Sequence, residues 1–310
     1  MSAITLDKVG KTYTDGKKKA LLALQEISLS VLQGEAFGFV GPNGAGKSTT
    51  IKVLMNIINA DGGDARLFDV PVTDHVARKG VSYVPENLYL YDYLTPLEML
   101  LMGTRMHGLP ETGLKEHCMQ VLEKFSISHV ANKRIRQFSK GMTQRTALAH
   151  ALACKPKLLI LDEPLSGLDP IGRKQVVEIL TEYRNNGGTI FFSSHVLNDV
   201  ERLGDRFGII YRGKLRTVST PSELVHHDQA PFAVRYEGSQ GIDGAEQEKA
   251  GRWKLQTSAE KLWSVLDAVK NAGHQIIDVK RDEPTLEQAF MKFISDMDKK
   301  EGIDSRFSTD

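Results

Sequence analysis

The chain has 310 residues, 41% hydrophobic and 25% charged, which is enough apolar material for a buried core in one large domain or two smaller ones. Lys and Arg number 40 against 39 Asp and Glu, a balance that gives no electrostatic reason to expect a nucleic-acid partner. The two cysteines, Cys118 and Cys154, lie outside any CxxC or metal-ligand spacing, which argues against a disulfide framework and against structural zinc.

No apolar stretch reaches the ~20 residues needed to cross a bilayer. The opening Met1-Ser-Ala-Ile-Thr-Leu-Asp-Lys8 lacks the apolar run of a signal peptide. Any membrane role would need another chain to do the crossing.

Taken in order, the first two-thirds read as an α/β unit. Short apolar runs at 36–40, 81–84, 158–161, 189–193 and 207–211 suit strands buried on both faces. Helical patterns separate several of them, which favours a largely parallel sheet. One helix is expected over 49–58. Thr95-Pro-Leu-Glu98 is a capping box with proline at the first helical position, opening a helical insertion at about 95–155. Leu97, Leu100, Leu101 and Met106 follow as apolar positions, and a second helix is expected at 114–125. Cys154 ends the alanine-rich run from Ala147, a packed helical position rather than a reactive thiol.

After Thr220 a second module begins. Thr220-Pro-Ser-Glu223 opens a short helix, and 221–230, with His226-His227-Asp228, reads as a solvated linker. Strands are expected at 232–236, 253–257 and 275–279, with 237–251 as a loop. Leu262, Val265, Leu266 and Val269 share one helical face, and Gly273 ends that helix. Thr285-Leu-Glu-Gln288 caps a last helix with Leu286, Phe290, Phe293 and Ile294 on one side. The order ββαβα over 231–298 predicts a small α+β domain, followed by a polar, frayed tail at 299–310.

The chemistry is concentrated in a few motifs. Gly41-Pro42-Asn43-Gly44-Ala45-Gly46-Lys47-Ser48 matches a phosphate-binding P-loop between a strand and a helix opening near Thr49. Glycines allow backbone amides to turn toward phosphates, and the helix N-terminus presents further amides to the same anion. Lys47 is expected to reach the β- and γ-phosphates of ATP, and Ser48 to give a hydroxyl oxygen to Mg2+. The run 158–161 ends in Asp162-Glu163, which places two carboxylates at the C-terminal edge of a parallel sheet. Asp162 can hold the metal through its water shell, and Glu163 can polarise the attacking water. His195 follows the strand at 189–193. With the other motifs granted it reads as a γ-phosphate contact.

Together these residues resemble the ATP-binding subunits of ABC transporters over about 3–220. The deciding segment is Phe138-Ser139-Lys140-Gly141-Met142, placed shortly before the Asp162 strand, where that family has its signature. Ser166-Gly-Leu-Asp169-Pro170 and His195 then follow in the family's order. The resemblance implies a P-loop NTPase fold with an ABC-type helical subdomain and an antiparallel N-terminal β-subdomain. It implies that two such domains close head to tail on ATP, Ser139 and Gly141 of one meeting the γ-phosphate held by Lys47 of the other, with Asp169 at the interface. Tyr13 matches the aromatic residue that stacks on adenine; otherwise it is an exposed turn tyrosine.

Departures narrow the branch. Glu86, in Val-Pro-Glu86-Asn, stands where the family has a glutamine that touches magnesium and relays state to the membrane partner. Lys140 replaces a glycine and either adds charge near phosphate or faces solvent. These departures resemble ABC-2-type exporters. So does Pro284-Thr-Leu-Glu-Gln-Ala-Phe290 near the C-terminus. The implied function is an ATPase, a homodimer on the cytoplasmic face of the cell membrane, peripheral through a separate permease subunit that docks on the helical insertion. The rival reading is a soluble ABC ATPase acting on a ribosome, nucleic acid or cofactor-assembly partner. No nucleic-acid partner is expected from the charge.

Overall fold

Alternation decides the first two strands. β1 (Ser2–Thr14) buries Ile4, Leu6 and Val9, and β2 (Ala20–Leu32) buries Leu24, Ile27, Leu29 and Val31, with exposed residues interspersed. They pair antiparallel, with an irregular register between Leu6 and Val9. The computed structural model describes residues 1–14, 20–225, 231–282 and 285–300 and divides into two units, Met1–Thr220 and Pro221–Asp310.

In the first unit, β3 (Ala36–Val40) has no polar side chain and is buried throughout. A strand of that kind needs cover on both faces, and it lies inside a sheet. After it come α1 (Lys47–Leu54), β4 (Gly62–Leu67), β5 (Val70–Pro71) and β6 (Val81–Val84). Helix α1 starts two residues earlier than the expected 49–58 and stops earlier, with Asn56 in a left-handed backbone conformation just beyond it. Next come α2 (Pro96–Met106), α3 (Leu114–Lys124), α4 (Lys140–Ala153), β7 (Leu158–Asp162), α5 (Pro170–Asn185), β8 (Thr189–Ser194), α6 (Leu197–Leu203), β9 (Arg206–Tyr211) and β10 (Lys214–Ser219).

These strands make two sheets. The antiparallel one has the order β2-β1-β4-β5 and forms the expected N-terminal β-subdomain. The other has the order β10-β9-β3-β8-β7-β6, parallel from β9 to β6, with β10 antiparallel at its edge. The core between elements is aromatic: the Phe37 and Phe191 rings stack with centroids 6.0 Å apart, and Phe39 lies 5.5 Å from Phe191. Burying each such ring contributes about 1.5–3 kcal/mol. Parallel pairing places the carboxyl ends of β3, β7 and β8 at one edge, so the loops that follow them converge there.

The helices 96–153 form a separate layer. The Thr95 capping box is complete: Glu98 N donates to Thr95 Oγ1 at 3.2 Å, and Thr95 N donates to Glu98 Oε2 at 2.8 Å. Leu97 and Leu100 are buried as expected, but Met106 is 80% exposed. The inward face of α2 instead runs through Met99, Gly103 and Thr104. Gly103 has no side chain because the His150 ring of α4 lies against its backbone.

The second unit contains α7 (Pro221–Val225), β11 (Phe232–Glu237), β12 (Glu246–Lys249), β13 (Arg252–Thr257), α8 (Leu262–Asn271), β14 (Gln275–Arg281) and α9 (Leu286–Lys300). The sheet order is β12-β13-β11-β14, all antiparallel. Strand β12 corrects the expected loop at 237–251: it is too polar to show apolar alternation, and it pairs through its backbone with β13. Val234 and Tyr236 pack on Val269 with Leu262, Val265 and Leu266, the face expected for α8. Thr285 and Gln288 make the second capping box, and α9 continues to Lys300, past the expected start of a frayed tail at 299. The expected features at His226, His227, Asp228, Pro284 and 301–310 lie outside the described residues.

Both thiols are inside the α2–α4 layer. Burial pushes the Cys118 thiol up from its ordinary value and the Cys154 thiol up to about 11. At pH 8 neither should react with a disulfide-exchange reagent while the chain is folded, and both should react after denaturation. Prompt labelling of either cysteine in the folded protein would contradict this packing.

Candidate active site

The P-loop runs from the end of β3 into α1. Gly44 and Gly46 have φ of +76° and +114°, a region that favours glycine. A Cβ on Gly46 would stand 2.7 Å from the Ala23 carbonyl oxygen, and one on Gly41 would collide with the Ile210 carbonyl oxygen. The loop is tied by Ala45 N donating to Pro42 O at 3.2 Å and by Gly213 N donating to Ala45 O at 2.9 Å. Gly46 is the N-cap of α1 and has no side chain to satisfy the first amides, so they are left for an anion.

A cavity of about 680 Å3 opens over this loop. Residues Pro42, Asn43, Gly44, Ala45, Gly46, Lys47, Ser48 and Thr49 form its floor, and Tyr13, Glu86 and Glu163 also line it. Gly41 lies outside the lining and acts through its carbonyl, which accepts from Lys47 Nζ at 2.6 Å. Lys47 Nζ also donates to Pro42 O at 3.3 Å and stands 3.7 Å from Glu163 Oε1. Burial pulls the Lys47 ammonium below the ordinary lysine value, while Glu163, then Asp162 and Glu86, pull it back up. One buried cation thus faces three carboxylates.

Glu163 directly follows β7 with φ of +51°, a left-handed conformation that non-glycine residues rarely adopt. Ser193 of β8 holds the corner. Its Oγ accepts from Glu163 N at 2.9 Å and donates to Asp162 Oδ1 at 2.6 Å. The Glu163 side chain is buried, with Oε2 at 2.9 Å from His195 Nδ1. Asp162 is 2% exposed. Neither Asp162 nor His195 lines the cavity; each stands behind or beside Glu163.

Ser139, Gly141 and Asp169 also lie off the cavity. Ser139 caps α4, its Oγ accepting from Met142 N at 3.3 Å. Asp169 caps α5, accepting from Gly172 N at 2.9 Å, with Arg145 Nη2 at 3.8 Å. The Lys140 stem lies across Gly167, where a Cβ would meet its Cε at 2.7 Å. Glu86 lines the P-loop cavity and also a second cavity of about 370 Å3 shared with Lys140 and Ser166.

Sequence reasoning missed Leu21, Leu22, Ala23, Gln25 and Arg212, which complete the cavity wall near Tyr13. The alternation of 20–32 could have exposed β2, but no pattern tells which of its residues face the loop. It also missed Ser193, whose hydroxyl bridges the two acids. The run Ser193-Ser194-His195 was visible, but its pairing with β7 was not.

The ABC transporter family model matches residues 24–166. An uncharacterised ABC transporter ATP-binding protein of Synechocystis sp. is 35% identical over 302 residues, covering 92% of this chain and 82% of its own length. The linearmycin resistance ATP-binding protein LnrL of Bacillus subtilis is 36% identical over 70% of this chain and 69% of its own. A solved ATP-binding subunit of an ABC transporter matches with a TM-score of 0.66 at 29% identity, over 73% of this chain and 92% of that one. With a matching family model, relatives aligned over most of their length and a shared fold, the chain belongs to the ATP-binding subunits of ABC transporters, whose activity is ATP hydrolysis.

Proposed function

We propose that this chain binds ATP with Mg2+ over residues 42–49, hydrolyses it in a site completed by a second copy, and so powers export through a separate membrane protein. The observation that carries the reading is the Glu163 carboxylate, fixed between the Lys47 ammonium at 3.7 Å and the His195 ring at 2.9 Å on the wall of the P-loop cavity. A carboxylate so placed can take a proton from a water aimed at the γ-phosphate. His195 Nδ1 fixes its orientation, which leaves the ring's Nε2 for the same phosphate. Lys47 and the α1 amides neutralise charge on the β- and γ-oxygens.

The residues fit a hard divalent cation. Ser48 is on the cavity floor, Glu86 on its wall, and Asp162 ends the neighbouring strand with Oδ1 already held by Ser193. When bound, Mg2+ would supply positive charge that offsets the negative charge of the phosphates. Glu86 adds a charge where a glutamine is usual, so the metal would be held by a more acidic set. Tyr13, with Leu21 and Leu22, offers the apolar wall against which an adenine ring would stack.

Two observations support a second copy. Ser139, Gly141 and Asp169 lie off the cavity, and the N-terminus of α4 behind Ser139 is a second anion-attracting end. A homodimer placed head to tail would bring Ser139 and Gly141 to the γ-phosphate and Asp169 to the interface. The transport role is supported by the family and by the named resistance function of LnrL. No described helix is long and apolar enough to cross a membrane, so the crossing would belong to a permease, with this chain peripheral at the cytoplasmic face. The permease would dock near α2, beside the exposed Tyr89, Tyr91 and Tyr93. We assign the ATPase to 1–220 and an accessory role to 231–298.

Replacing Glu163 by Gln should leave ATP binding intact and slow phosphate release by about 10²–10⁴-fold, with ATP-bound dimer accumulating. Ordinary turnover in Glu163→Gln would remove Glu163 from the base role. For the transport reading, affinity capture from detergent-solubilised membranes of the source cell should recover an integral membrane protein. Recovery of none, with or without ATP, would count against it.

A further inference from the structure

Asp199 has no task in the reading above, yet it is 5% exposed and sits on α6, one turn beyond His195. Burial pushes its carboxyl up, and Arg173 and Ser194 pull it back. Ser194 lies between Asp199 and the loop. Its Oγ accepts from Val196 N at 2.9 Å, which closes a tight turn around His195. The same hydroxyl is 3.1 Å from Val196 O and 3.3 Å from Asp199 Oδ2, and it has one proton to give. Asp199 N in turn donates to Val196 O at 3.2 Å. The backbone beyond His195 is therefore tied to Ser194 and Asp199 together.

The other side of Asp199 faces α5. Arg173 Nη1 stands 3.7 Å from Asp199 Oδ1, too long for a hydrogen bond but close enough for Coulomb attraction in a buried setting. Arg173 Nε is buried with no hydrogen-bond partner among the described residues. Arg173 belongs to the first turn of α5, and its N donates to Asp169 O at 2.8 Å. Helices α5 and α6 are in contact. One continuous set of contacts thus runs from Asp169 through Arg173, Asp199 and Ser194 to His195.

We propose that Asp199 is a positioning residue for His195, and that Arg173 couples it to the Asp169 end of α5. The proposal rests on the Glu163–His195 reading of the site. By competing with Val196 O for the one Ser194 proton, Asp199 sets the direction of the hydroxyl that holds the turn, and so the distance from His195 Nδ1 to Glu163. The Arg173 pair attracts without locking. A shift of the first turn of α5, as when Asp169 gains a partner, changes that attraction and moves the His195 turn. Asp169 thereby reports to the chemistry without touching it.

The test is single-turnover ATP hydrolysis by the full chain in excess over ATP, with ATP affinity titrated separately. Asp199→Ala and Arg173→Ala are each made alone and together with His195→Ala. The expected result for each alone is a rate about ten- to a hundredfold below wild type, with ATP affinity within about threefold. Neither should slow the His195→Ala chain further, because the lost function runs through that ring. If the Asp199→Ala chain does not fold, Asp199→Asn keeps the shape and an acceptor oxygen and should show the same pattern with a smaller loss. Equal fractional losses in both backgrounds, or wild-type rates in the single variants, would overturn the proposal. If His195→Ala itself hydrolysed ATP at the wild-type rate, the assignment of His195 would fail and this inference with it. That outcome is distinct from the additive one, which removes only the role of Asp199.

Discussion

Everything in the first unit serves to bring one buried ammonium and one buried carboxylate to the same edge of a sheet. Lys47 opens the helix that follows β3 and Glu163 directly follows β7, and these strands are neither sequence neighbours nor adjacent in the sheet. β8 lies between them and supplies Ser193 and His195 to the same corner. Only parallel strands in this order put the three loops at one edge. A buried ion pair of this kind adds little stability by itself, because desolvation offsets much of its attraction. Its placement is better understood as preorganisation for a charged ligand, held by a stable aromatic core beneath. The left-handed backbone at Glu163 fits that view, since the Ser193 hydroxyl holds a conformation that a free chain would avoid.

The same edge explains why the site is read as half of a larger one. The α1 amides and Lys47 approach a phosphate from one side only. The other anion-attracting end, at α4, is capped by Ser139 and lies off the cavity. In the proposed dimer a second copy would bring that end over the nucleotide, and Asp169, at the start of α5, would then be at the seam. Hydrolysis would then be linked to opening and closing of two chains, which is what a motor for a separate permease requires.

Much of this was legible in the residues. The P-loop, the Asp162-Glu163 pair and His195 carry their chemistry in residue type and local spacing, and buried parallel strands appear as unbroken apolar runs. The capping boxes at Thr95 and Thr285 specify their hydrogen bonds locally, so they too could be read directly. What depends on pairing across the chain could not. Strand β12 is polar and exists because β13 offers it a backbone edge. Met106 fits a helical stripe by residue type, yet the α2–α4 contact turns Gly103 and Thr104 inward instead. Ser193 gains its role from a neighbour about 30 residues away, joined only by the β7–β8 register. Leu21, Leu22 and Arg212 reach the cavity because separate strands meet there.

The central claim is that ATP turnover needs residues from two copies. A chain bearing Lys47→Ala and a chain bearing Ser139→Arg should each be inactive alone. Mixed in equal amounts, they form dimers with one intact site, and ATP hydrolysis should return to roughly a quarter of the wild-type rate per chain. Wild-type turnover by the Ser139→Arg chain on its own would contradict the account, because the phosphate would then need nothing from a second copy.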